Sequence, residues 1–181
     1  MYGLVNQAMK ELVIDAHGET TWRRICDEAG VGDGDFRTMH AYPDAVTVGL
    51  VGAASRILDV PAPTLLEQFG TYWVGFAKTT DFAMLMRFAG SSFLEFVQNL
   101  DLMHAKIKLS LPELTPPSFR CTEVTESGFR LHYYSSRQGL APLVVGMMKG
   151  VADLFGTRIE MRHDRVAGAG QDHDEFVITY A

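Results

Sequence analysis

The chain has 181 residues, 47% of them apolar and 21% charged, with a net charge of −6 and a pI of about 5.4. That length suits one domain, residues 1–181, with a sizeable core, and the composition excludes a disordered chain or a coiled coil. The acidic balance excludes nucleic acid as a main partner, because neutralising phosphates needs a basic face. No apolar run reaches the roughly 18 residues that span a bilayer, so no membrane insertion is expected. The start, MYGLVNQAMKELV, has no basic, then apolar, signal pattern. Two distant cysteines, Cys26 and Cys121, suggest no disulfide scaffold and point to the reducing cytoplasm.

Along the chain, Leu4, Val5, Met9, Leu12 and Val13 recur at helical spacing, predicting a first helix over 1–17 that Gly18 stops. A second helix runs over 19–29 to Gly30, and GVGDGDF is a loop. Asp44 is placed to cap a helix over 45–58, and Thr64 to cap the next, through Phe76. Asp81 opens a short helix ending near Gly90. Ser91 or Ser92 begins a longer one, which Pro112, Pro116 and Pro117 bring to an end. Strands over 118–125 and 128–136 meet at Ser127-Gly128 as a hairpin. Leu140, Leu143, Val144, Met147, Val151 and Leu154 form a last helical stripe, and strands over 157–165 and 174–180 flank AGAGQDHD, read as a solvated turn. Helices followed by β-β-α-β-β make an α+β fold with an antiparallel sheet packed on helices.

His104 falls on the apolar stripe Phe93, Phe96, Val97, Leu100, Ile107, so it faces the core. A buried imidazole needs partners for its nitrogens. Spacing leaves two readings open, a core histidine bonded to a carbonyl and a metal or cofactor ligand.

FRLHYYSSRQGL raises a second question. Read as a strand, it lines up Tyr133, Ser135 and Arg137 on one face, a row of donors about 13 Å long. That row is either a solvated face or a grip for two carboxylates on one rigid body. His132, on the opposite face, is expected to be exposed. An apolar group carrying two carboxylates and a metal that takes one imidazole is haem.

MYGLVN at the start, His104 in NLDLMHAKI, the paired prolines of LTPPSF and Tyr133-x-Ser135-x-Arg137 in HYYSSR together resemble the H-NOX family, and in particular its stand-alone bacterial members. These haem nitric oxide/oxygen binding domains are similar to the sensor domain of soluble guanylate cyclase. The resemblance implies a helical distal subdomain, a proximal subdomain with a four-stranded antiparallel sheet, and haem b between them. It makes His104 the axial iron ligand, gives the propionates to Tyr133, Ser135 and Arg137, and makes Pro117 the residue that presses on the porphyrin. Met1, Val5, Trp73 and Leu143 would line the distal side.

Two departures from the family pattern carry weight. Oxygen-binding members place a tyrosine on the helix after YxSxR; here Pro142 falls near that position, and residues 140–155 contain no tyrosine. An apolar pocket then favours nitric oxide and CO over oxygen, with Trp73 as packing. Some bacterial relatives also carry a Cys/His zinc site in the C-terminal half. With Cys121 the only cysteine after residue 120 and no CxxC, that site is not expected, and Cys121 reads as a small core residue.

The function expected is therefore a gas sensor, not an enzyme. Nitric oxide would loosen the bond to His104, release its helix, and pass the signal to a separate histidine kinase or cyclic-di-nucleotide enzyme. The alternatives are a haem enzyme of peroxidase type, for which the distal residues offer no acid–base group, an oxygen-binding or redox haem sensor, and a binding module without haem.

Overall fold

The computed structural model describes residues 1–167 and 172–180. Four helices come first: α1 (Gly3–His17), α2 (Glu19–Ala29), α3 (Asp44–Leu58) and α4 (Ala62–Ala77). Then follow α5 (Ala83–Ala89), α6 (Phe93–Gln98), α7 (Leu100–Ser110), the hairpin β1 (Ser118–Thr125) and β2 (Gly128–Tyr134), α8 (Ala141–Leu154), β3 (Ile159–Arg165) and β4 (Asp174–Tyr180). The strands form one antiparallel sheet in the order β1-β2-β4-β3. The fold is α+β.

The core has two parts. Trp22, Ile25, Leu50 and Phe69 anchor a cluster among α1–α4. The second lies against the sheet, where the alternation along β2 buries Phe129, Leu131 and Tyr133 and the register sets Leu131 beside Phe176 and Phe129 beside Ile178. Phe93, Phe96 and Val97 of α6 and Val151 of α8 cover that face.

The two parts meet where α4 crosses α8. A Cβ at Gly146 would lie 1.9 Å from the Glu67 carbonyl oxygen, and one at Gly70 would lie 2.3 Å from that of Leu143. Only glycine lets these backbones approach so closely, and Thr71 Oγ1 donates to the Gly146 carbonyl at 3.1 Å across the crossing.

Three local expectations are corrected. Asp44 and Thr64 do not cap: Pro43 and Pro61 stand at the N-caps of α3 and α4 with no side-chain cap bond, since proline supplies the extended entry and its ring carries no group to accept one. The long helix after Gly90 is two, broken at Asn99, whose Nδ2 leaves the helix surface to donate to the Ala89 carbonyl at 2.8 Å. The first of them has a true N-cap, Ser92, whose side chain accepts from Glu95 N. Among the described residues no single helix is long and apolar enough to cross a membrane. Residues 168–171 of the expected AGAGQDHD turn lie outside the described residues.

Candidate functional site

The site starts from α7. Leu100, Met103, His104 and Ile107, spaced i, i+3, i+4 and i+7, share one face and line one cavity. Asp101, one position off that face, clamps the helix to β1 by accepting from Ser118 Oγ at 2.5 Å and Phe119 N at 2.8 Å. His104 is thereby fixed beside Phe119, with ring centres 6.1 Å apart, and Phe119 in turn lies 5.3 Å from Tyr133.

The His104 Nδ1 atom is buried and has no hydrogen-bond partner. Burial holds the ring's pKa below the ordinary value, against an opposing pull from Asp101 and from the Pro117 backbone. The imidazole is thus neutral at pH 7, the form that offers a lone pair to a metal.

The remainder of the cavity is mostly apolar. Val5 of α1, Trp73 of α4 and Leu143 of α8 contribute to it, as do Met1 at the chain start and Pro117 in the segment leading to β1. Its volume is about 240 Å³. Tyr133, Ser135 and Arg137 also border it. All nine residues singled out in the sequence therefore meet around a single void.

They do not form the straight row expected. Strand β2 ends at Tyr134, because its pairing with β4 runs out at Tyr133–Asp174 and with β1 at Ser118–Tyr134. Tyr133 stays on the core face, 3% exposed, and burial raises its phenol pKa, with the Ser135 hydroxyl opposing. Ser135 and Arg137 lie past the strand, where Ser135 Oγ accepts from Arg137 N at 3.0 Å and shapes the turn.

Arg137 is already gripping a carboxylate. Its Nε donates to Asp44 Oδ2 at 2.7 Å, Nη2 to Oδ1 at 3.4 Å, and Nη1 to the Thr115 carbonyl at 2.7 Å. Asp44 also accepts from the Met1 ammonium at 2.6 Å, and that ammonium, ahead of Arg137, holds the Asp44 carboxyl below its usual range. Asp44, expected only as a helix cap, and Phe119 are the neighbours that the sequence did not place at this site. Asp44 is 93 positions from Arg137, and no local pattern reports such a pairing.

A neutral imidazole with a partnerless Nδ1 at the wall of an apolar void, and a guanidinium at its rim, fit the group expected there, haem. The Haem-NO-binding family model matches residues 2–163. The soluble guanylate cyclase gcy-31 of Caenorhabditis elegans is 28% identical over 170 residues, 91% of this chain and 24% of that protein. The gcy-32 cyclase of the same organism is 32% identical over 155 residues, 84% of this chain and 23% of its own length. The chain thus spans about a quarter of the length of these curated relatives. The crystal structure of an H-NOX protein from S. oneidensis in the Fe(II)NO ligation state superposes with a TM-score of 0.90 at 19% identity, covering 100% of this chain and 99% of that one. With the family model covering most of its length, this chain belongs to the Haem-NO-binding, or H-NOX, family.

Proposed function

We propose that residues 1–181 act as one haem-based gas-sensing domain that takes up nitric oxide and CO with little affinity for oxygen. The observation that carries this reading is the partnerless Nδ1 of a neutral His104 at the wall of the apolar cavity. Bound haem b would supply an iron centre able to take a diatomic gas.

This chain's residues have definable tasks around it. His104 offers the axial nitrogen. Arg137 presents a planar fork suited to a carboxylate, with Tyr133 and Ser135 beside it as hydroxyl donors. Asp44 now holds two of the guanidinium's donors, so Arg137 must share or exchange this partner when it grips a propionate. Pro117 stiffens the segment between α7 and β1, where pressure on a flat macrocycle would be applied. Val5, Trp73 and Leu143 keep water out of the other wall with Met1 at the mouth, and α8 carries no tyrosine hydroxyl to favour bound oxygen.

Signalling, on this reading, is His104 leaving its bound position, which frees α7 to shift against β1. The output passes to a separate cytoplasmic partner, a histidine kinase or a cyclic-di-nucleotide enzyme.

Visible spectra of the purified ferrous protein test the reading. A Soret band that shifts with nitric oxide and with CO but not in air is expected. A protein left colourless after hemin reconstitution, or a stable oxygen-bound spectrum, overturns it. His104→Gly is expected to fix a partner kinase in the signalling state; a kinase that still answers nitric oxide through this variant overturns the release step.

A further inference from the structure

On the outer face of the sheet, away from the cavity, three ligand-type atoms converge. His132 Nδ1 lies 2.9 Å from His173 Nε2. Glu175 Oε1 lies 3.4 Å from His173 Nε2 and 3.9 Å from His132 Nδ1. The side chains are 15%, 12% and 7% exposed. Glu175 is in β4 as expected, register-paired with His132, but His173, placed in a solvated turn by the sequence, has its side chain mostly buried. His132 is not the exposed residue expected either.

Each of the three has its other polar atom engaged from outside. His173 Nδ1 is 2.5 Å from Asp172 Oδ1. His132 Nε2 is 2.7 Å from Thr122 Oγ1. Glu175 Oε2 accepts from Arg130 Nη1 at 3.2 Å. A carboxylate behind a histidine fixes the proton on the far nitrogen, and a hydroxyl that accepts does the same. Both inner nitrogens then present lone pairs to each other and to a carboxylate oxygen, an arrangement that calls for a cation between them. Zinc–nitrogen bonds of 2.0–2.1 Å in a tetrahedron put neighbouring ligands about 3.3 Å apart, and the three separations bracket that value.

We propose that His132, His173 and Glu175 form a binding site for a zinc-class divalent cation, with a fourth position left for water. Two imidazoles and one carboxylate are a donor set that zinc accepts. Arg165 Nη1 reaches Glu175 Oε1 at 3.4 Å from a side chain that is 58% exposed, so it swings into solvent when the cation enters. Arg130 stays on Oε2 and orients the carboxylate. The site ties β2 to β4 one residue before Tyr133 and so braces the strand end from which Ser135 and Arg137 project. It uses no cysteine, and it does not depend on what fills the cavity.

The test is a zinc titration of the full chain, as purified and then stripped with a chelator, against a competing chromophoric chelator. One equivalent per chain is expected, with X-ray absorption showing nitrogen and oxygen neighbours and no sulfur, and a rise in melting temperature on loading. His173→Ala and Glu175→Gln are expected to weaken binding at least tenfold. Asp172 is 83% exposed, so Asp172→Asn leaves the fold intact while removing the support behind His173; a roughly tenfold loss is expected. Uptake well below one equivalent, a sulfur neighbour, or affinity unchanged in both Asp172→Asn and His173→Ala overturns the site. The Soret band is read in parallel, so a failure here is distinct from a failure to bind haem.

Discussion

Arg137 and Asp44, 93 positions apart, are joined by two hydrogen bonds, Nε to Oδ2 at 2.7 Å and Nη2 to Oδ1 at 3.4 Å. The pair links the turn after β2 to the first residue of α3, and so ties the sheet-bearing part of the molecule to its helical part across the cavity rim. Asp44→Ala is expected to lower unfolding free energy by about 0–1 kcal/mol, since the carboxylate is 46% exposed and solvent screens the pair. The folded pKa of Asp44 is depressed, so its contribution is full above the unfolded value of about 3.9 and is lost as pH falls through the lower folded value. Denaturant curves of wild type and variant should differ at pH 7 and converge in strong acid. A difference that persists there refutes the assignment.

His104 gives the opposite residue type the same sign. Burial depresses its pKa, so between the unfolded value of about 6.5 and the lower folded value the unfolded chain binds a proton that the folded chain does not. The haem-free protein is expected to lose stability as pH falls through that window. His104→Leu removes the titrating group, so its unfolding free energy should change less between pH 7 and 5. Parallel pH profiles for the two chains rule this out.

The α4–α8 crossing is expected to be intolerant of any side chain at Gly146. A Cβ there would sit 1.9 Å from the Glu67 carbonyl oxygen, a backbone atom that cannot rotate aside. Gly146→Ala should cost about 1–3 kcal/mol or more, read as a lower denaturant midpoint. Gly75→Ala on the same α4 meets nothing within 4 Å and is expected to leave the midpoint unchanged or slightly raised. Equal effects at the two positions would count against the close approach.

Neither cysteine is poised for redox chemistry. Burial pushes the thiols of Cys26 and Cys121 up to about 11 from 9.0, and both are free. Two pH units less acid means about a hundredfold less thiolate at pH 8. Thiol-reagent kinetics should show both reacting about a hundredfold more slowly in the native protein than in denaturant. A native burst of one thiol per chain would assign Cys121, the half-buried one, a reactive role.

The order and type of the elements were legible because they rest on short-range physics. Apolar residues at a 3.6-residue period, glycines at Gly18 and Gly30 with φ of 82° and 67°, and alternation along β2 all act within a few positions. The placement of His104 on the cavity-facing stripe was legible for the same reason, even though the helix carrying it breaks at Asn99. The grip motif was legible in residue type and not in geometry, because a strand ends where its neighbours stop pairing, and pairing is not a local property. Composition and spacing determined an α+β chain with one histidine on an apolar stripe and a tyrosine, serine and arginine in close succession. Tertiary structure alone decided that Asp44 meets Arg137, that Gly146 admits the backbone of α4, and that His132 and His173 face each other over Glu175. Each of those contacts joins segments tens of residues apart, and only the packing of the whole chain brings them within bonding distance.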